Sequence, residues 1–169
     1  MATELQDYEQ APLRTTFITV LCILTFIGSG WGLVMGGVKY FTADKQAVTM
    51  SMSKEKAAAD IQQKGKDDAA SKFAEKMVNS MAVFTPENLK KAGIAEALAA
   101  LCCLAGAFLM WQLKKKGYYL YIAGTLIGII SPFVIYGSSN MMSIISSVMV
   151  GFVGIVFMIL YGVNLKDMR

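Results

Sequence analysis

The sequence predicts an all-α integral membrane protein, a four-helix bundle with an extracytoplasmic amphipathic helical segment between its first and second spans. Three observations carry this. Apolar residues make up 55% of the 169, and they gather into four long runs of about the 20 residues that a helix needs to cross the hydrocarbon core of a bilayer. Most of the charge is set apart in a single stretch, 42–92, too long for a plain connection and therefore expected to carry structure of its own. Within the runs, small residues recur four apart, Gly28, Gly32 and Gly36 first among them, as on helices whose backbones approach closely in lipid.

Residues 1–15 form a polar tail with Glu4, Asp7 and Glu9 against Arg14. The apolar run that follows is too long for the core of a signal peptide, so no cleavage is expected. The first span, 16–41, reads TFITVLCILTFIGSGWGLVMGGVKYF and ends at Lys39 and Tyr40, a lysine that snorkels outward and a tyrosine at headgroup depth.

Between Ser53 and Phe84 the chain is rich in alanine and lysine and free of proline. Lys56, Asp60, Lys64, Asp68, Lys72 and Lys76 follow at intervals of four, a solvated helical face. Beside it runs an apolar stripe that strengthens toward Phe73, Met77, Met81 and Phe84, a face for a partner, for the membrane surface or for the chain's own bundle. Gly65, followed by Asp67 and Asp68, leaves two forms open, a continuous helix or a hairpin.

Thr85-Pro86-Glu87 starts the next helix, with an N-cap, a proline in the first turn and an acid at the positive end of the helix dipole. Its apolar span is 93–113, closed by Trp111 and the bases Lys114, Lys115 and Lys116. A turn at Gly117 leads to the third span, 118–136, in which Pro132 removes one backbone hydrogen bond. That proline kinks the helix or, with Ser131, opens a polar pocket. The uncharged loop 137–140 precedes the fourth span, 141–163, and the tail 164–169.

Four spans put both termini on one side. The bases beside short segments there are Arg14, Lys114 to Lys116, Lys166 and Arg169, so the positive-inside rule places both termini in the cytosol and 42–92 outside. Trp111, Tyr118, Tyr119 and Tyr161 then form the inner aromatic belt and Tyr40 and Tyr136 the outer one.

Small faces at Gly28, Gly32 and Gly36, at Gly124 and Gly128, and at Ser147 and Gly151 are expected to meet within one chain, the first span finding its partners on the third and fourth; the same motif also serves as a dimer face. Glu96 is the one acid inside a span, on a face with Gly93, Ala100, Cys103 and Ala107. An acid at that depth marks a functional site or a structural tie, and its nearest cation is Lys39.

Several classes fall away. The lysines are interleaved with acids, which gives no nucleic-acid surface. There is no histidine, and Cys22, Cys102 and Cys103 all lie in apolar runs without a C-x-x-C pair. No metal, cofactor or catalytic residue is therefore assigned, and an enzyme is not expected.

The stretch RTTFITVLCILTFIGSGWG, together with the four-span plan, resembles small uncharacterised bacterial multi-pass membrane proteins. That resemblance implies a location in a bacterial inner membrane and brings no activity or site residues. The expected partners are the lipid bilayer and a protein partner or second copy. Two functions follow: a subunit or scaffold that meets its partner through the outer helical segment, or a small oligomeric transporter or channel with Glu96 in its pathway.

Overall fold

In hydrocarbon every backbone N–H and C=O must find its partner inside the segment, so each apolar run folds as an uninterrupted helix despite its glycines and β-branched residues. The computed structural model describes residues 16–64 and 69–167. Among them the elements are α1 (Thr16–Phe41), α2 (Ala43–Lys64), α3 (Ala69–Ser80), α4 (Pro86–Trp111), α5 (Lys116–Tyr136) and α6 (Met141–Val163), with short 3-10 turns at Met81–Val83 and Asn164–Asp167. No strand occurs among the described residues. The tail 1–15, Gly65, Asp67, Asp68 and Arg169 lie outside them.

α1, α4, α5 and α6 are the long apolar helices, of 26, 26, 21 and 23 residues, each sufficient to span a bilayer. Hydroxyls inside them turn back onto their own backbone: Thr25 Oγ1 donates to the Leu21 carbonyl and Thr125 Oγ1 to that of Tyr121, each at 3.0 Å. Large side chains face outward, Trp31 at 64%, Phe152 at 71% and Val134 at 76% exposure. Such a surface belongs against lipid.

Only Thr42 separates α1 from α2, and the backbone ladder runs on through it, Thr42 N–H to Val38 O and Gln46 N–H to Thr42 O. The choice between one helix and a hairpin resolves as two helices, α2 and α3, packed on each other. α2 also packs on α4 and α3 on α6, so the hairpin covers one end of the long helices. Asn140 fastens it, donating through Nδ2 to the Ser80 carbonyl at 3.2 Å while its Oδ1 caps α6 at Met142 N–H.

Thr85 caps α4 by accepting from Asn88 N–H, and Pro86 occupies the first turn. The other end of α4 closes as a Schellman motif, Lys114 N–H to Leu109 O and Leu113 N–H to Met110 O. Leu113 takes the left-handed position, φ 61°, which glycine usually fills. Its burial at 8% exposure offsets that cost. The turn expected at Gly117 thus lies earlier, at 112–115, and Gly117 sits inside α5, where it serves packing.

α1 packs on α4, α4 on α5 and α5 on α6. The start of α1, the end of α4, the start of α5 and the end of α6 share the end opposite the hairpin. The core is built there, from Ile18, Leu21, Cys22, Met110, Tyr121 and Tyr161. Tyr161, read from the sequence as a belt residue, is fully buried, because its hydroxyl finds Thr25 Oγ1 at 2.8 Å instead of headgroup water.

Candidate functional site

The site begins with two places where the backbones of neighbouring helices touch. A Cβ on Gly36 would lie 2.8 Å from the Gly93 carbonyl oxygen and 2.9 Å from Ala97 N, so α1 and α4 cross there with no room for a side chain. Gly106 and Gly117 make the matching crossing of α4 and α5, where a Cβ on Gly106 would lie 2.8 Å from Tyr121 N. Gly124 also faces α4, its Cβ direction blocked by Cys103 Sγ at 2.7 Å and Ala99 O at 2.9 Å. α4 is therefore the helix against which both α1 and α5 are held.

The first-span stripe is not uniform. The sequence pairs it with the third and fourth spans, whereas its tight contact is with α4, because the smallest face available at that depth is the one formed by Gly93, Ala97 and Ala100. A Cβ at Gly32 would sit 3.5 Å from the Ala100 methyl, ordinary contact, and one at Gly28 would meet nothing within 4 Å. Gly28 and Gly32 do not seal a joint. They line a cavity.

That cavity, about 740 Å³, lies between α1 on one side and α5 and α6 on the other, across the face of α4. Its floor is formed by Thr25, Tyr121, Thr125 and Phe157, and behind it Thr25 meets the buried Tyr161 in the hydrogen bond that joins α1 to α6. Its walls are mostly apolar, with Leu24, Ala99, Ile145, Met149 and Val153 among them. Gly128, Ser131 and Pro132 open onto it from α5, which continues as a helix through the proline. At the hairpin end Gln46 and Met50 of α2, and Phe84, whose ring meets Tyr136 edge-on at 5.3 Å, complete the lining.

Lys39 and Glu96 stand at that same end, Nζ 2.5 Å from Oε2, each about one third exposed at 32% and 36%. Both line the cavity. The crossing produces the pair: the helices run antiparallel, Gly36 lies against Gly93 and Ala97 and Gly93 against Gly36 and Tyr40, so Lys39 and Glu96 fall beside each other within that contact. A second, looser pair, Lys90 with Asp44 at 3.3 Å, ties the first turn of α2 to α4.

Polar groups deeper in the helices are matched internally. Ser147 Oγ donates to Ile129 O at 2.9 Å and Ser143 Oγ to Gly137 O at 2.9 Å. Gly151 lies against Ile129, and Gly128 against Val150. No buried side-chain nitrogen or oxygen among the described residues is left without a partner. The lining of the cavity is mostly apolar, with the hydroxyl residues Ser29, Ser131 and Ser146 among it, so it suits a mainly apolar occupant, and its one charged feature is at the rim. Replacing Tyr161 by phenylalanine is expected to cost about 0.5–1.5 kcal/mol, because Thr25 keeps its own bond to Leu21 O; thermal unfolding of the purified protein in mild detergent checks this.

Of the hairpin stripe, Phe84 is drawn into the cavity lining, Met77 and Met81 are half-buried and Phe73 stays exposed at 52%. The stripe is thus divided between the chain's own bundle and the surface. Sequence reasoning missed Gly106, Gly117 and the Thr25–Tyr161 contact. Small residues on facing helices at 106 and 117 were a signal for the first two, hidden because a glycine after three lysines also reads as a turn.

The chain belongs to the family described as "Predicted membrane protein (DUF2127)", whose model matches residues 20–163, from the second turn of α1 to the end of α6. No curated protein and no solved structure matches it. The protein is a membrane protein whose apolar helices contact lipid.

Proposed function

We propose that this protein is a non-enzymatic carrier or small transporter that takes up an amphipathic molecule from the bilayer into the cavity between α1 and α6, with Lys39 and Glu96 at the polar end of its path. The cavity is the observation that carries this reading: an apolar chamber at membrane depth, about 740 Å³, with one ion pair at its mouth. Its mostly apolar walls favour an apolar chain over a hydrated ion. Lys114, Lys115 and Lys116 at the end opposite the hairpin support cytosolic termini, with the hairpin capping the outer side of a bacterial inner membrane.

Gly28→Leu tests the proposal, since the added side chain enters open space in the cavity and touches no neighbouring backbone at its Cβ. Native mass spectrometry of the full chain in mild detergent should show a retained amphiphile in the wild type, reduced about tenfold or more in the variant at unchanged thermal stability. Equal retention in both sinks the proposal.

A second reading, a subunit of a larger complex, is favoured by the exposed apolar residues Val48, Met52 and Phe73 on the hairpin. It predicts a stoichiometric partner in mild-detergent purification from native membranes that deletion of 54–84 releases; a solitary chain on a native gel counts against it.

A further inference from the structure

We infer that the molecule held in the cavity is a zwitterionic phospholipid with a primary ammonium head, its phosphate and ammonium meeting Lys39 and Glu96 and one acyl chain lying in the cavity along α1. This rests on the proposed uptake of an amphiphile and names its chemistry.

The head is read from the rim. Lys39 and Glu96 together are neutral, so an anionic head would set its charge against Glu96 and a cationic head its charge against Lys39. A head carrying both signs meets each with its opposite. The pair is joined by one hydrogen bond. Lys39 keeps further N–H donors for phosphate oxygens, and Glu96 keeps a second oxygen for an ammonium N–H. A quaternary ammonium has no N–H to give and loses that second bond. Exposure of about one third leaves both groups reachable from the cavity that they line.

The chain is read from the walls and from their length. From Lys39 to Thr25 is fourteen residues of continuous helix, about 21 Å at 1.5 Å per residue. That exceeds the ~15 Å depth of one leaflet's hydrocarbon, room for an extended acyl chain. Along this path the lining is mostly apolar, with Thr25 and Ser29 of α1 as its hydroxyl residues. Gly28 and Gly32 add no side chain to the α1 wall, and Leu24 of α1 with Met149 and Val153 of α6 supplies apolar contact. α1 and α6 meet at the Thr25–Tyr161 hydrogen bond and line opposite walls beyond it, and both turn large apolar side chains outward to lipid. The bilayer is thus the source nearest to the cavity.

The test is competition in native mass spectrometry, using the full chain in mild detergent with equimolar phosphatidylethanolamine, phosphatidylcholine and phosphatidylglycerol of matched chains. The expected result is preferential retention of phosphatidylethanolamine by about tenfold, the worth of one charge-assisted hydrogen bond, reduced toward equality with phosphatidylcholine by Glu96→Gln. Glu96→Gln keeps the shape and a hydrogen-bonding oxygen, and unchanged circular dichroism establishes that it is folded. Gly28→Leu should lower retention of all three lipids. Equal retention of the three by the wild type, or preference for phosphatidylglycerol, overturns the head assignment while Gly28-dependent binding still upholds the cavity. Retention of none, or retention that Gly28→Leu leaves unchanged, overturns both.

Discussion

Gly36→Ala is expected to lower the unfolding free energy by about 2–3 kcal/mol, while Gly28→Ala two turns earlier on the same stripe leaves it unchanged or slightly raised. The difference is geometric. At Gly36 the new methyl meets backbone atoms of Gly93 and Ala97 at 2.8 and 2.9 Å, and backbone cannot move aside as a flexible side chain can. α1 must then lift from α4, which also separates Lys39 from Glu96. At Gly28 there is nothing within 4 Å, and alanine is the better helix former. Thermal unfolding in one detergent, with the two variants side by side, makes the comparison. Equal losses at both positions would mean that the stripe packs uniformly and that no open wall exists at Gly28.

Glu96→Ala and Lys39→Ala are each expected to cost about 1–3 kcal/mol, and the double variant little more than either single one. The magnitude lies between two limits. Exposed ion pairs contribute about 0–1 kcal/mol, and breaking a buried pair costs about 3–5 kcal/mol because the survivor is left uncompensated. With each partner about one third exposed, the survivor keeps some access to water or lipid headgroups, so the cost falls between. A double-mutant cycle on thermal stability reads the coupling directly, and additive effects would show that the two residues act independently.

Much of this architecture was legible in the sequence, because hydrophobic run length and helix start signals are local. The four runs and the Thr85-Pro86-Glu87 start map onto α1, α4, α5 and α6 to within a few residues. The Lys39–Glu96 contact was also legible as a pairing, since a lone acid inside a span has few cations within reach. What the sequence could not carry was which small residue meets which helix. Gly28 and Gly36 are identical in type and in spacing, and only the crossing with Gly93 decides that one is a joint and the other a wall. Tyr161 illustrates the same gap: near a span end a tyrosine reads as a belt residue, and only the approach of α1, bringing Thr25 to its hydroxyl, makes it a core residue. The cavity is a property of three helices that fail to fill the space between them, and no single stretch of sequence encodes it.

The proposed ligand places an acyl chain in the space between α1 and α6. Photolabelling with a phospholipid that carries a diazirine along its chain, followed by peptide mass spectrometry, tests it most directly. Labels on the cavity side, at Leu24, Cys103 and Val153, competed by unlabelled lipid and lost in Gly28→Leu, are the expected result. Labels confined to the outward faces at Trp31, Val134 and Phe152, insensitive to Gly28→Leu, would contradict the account.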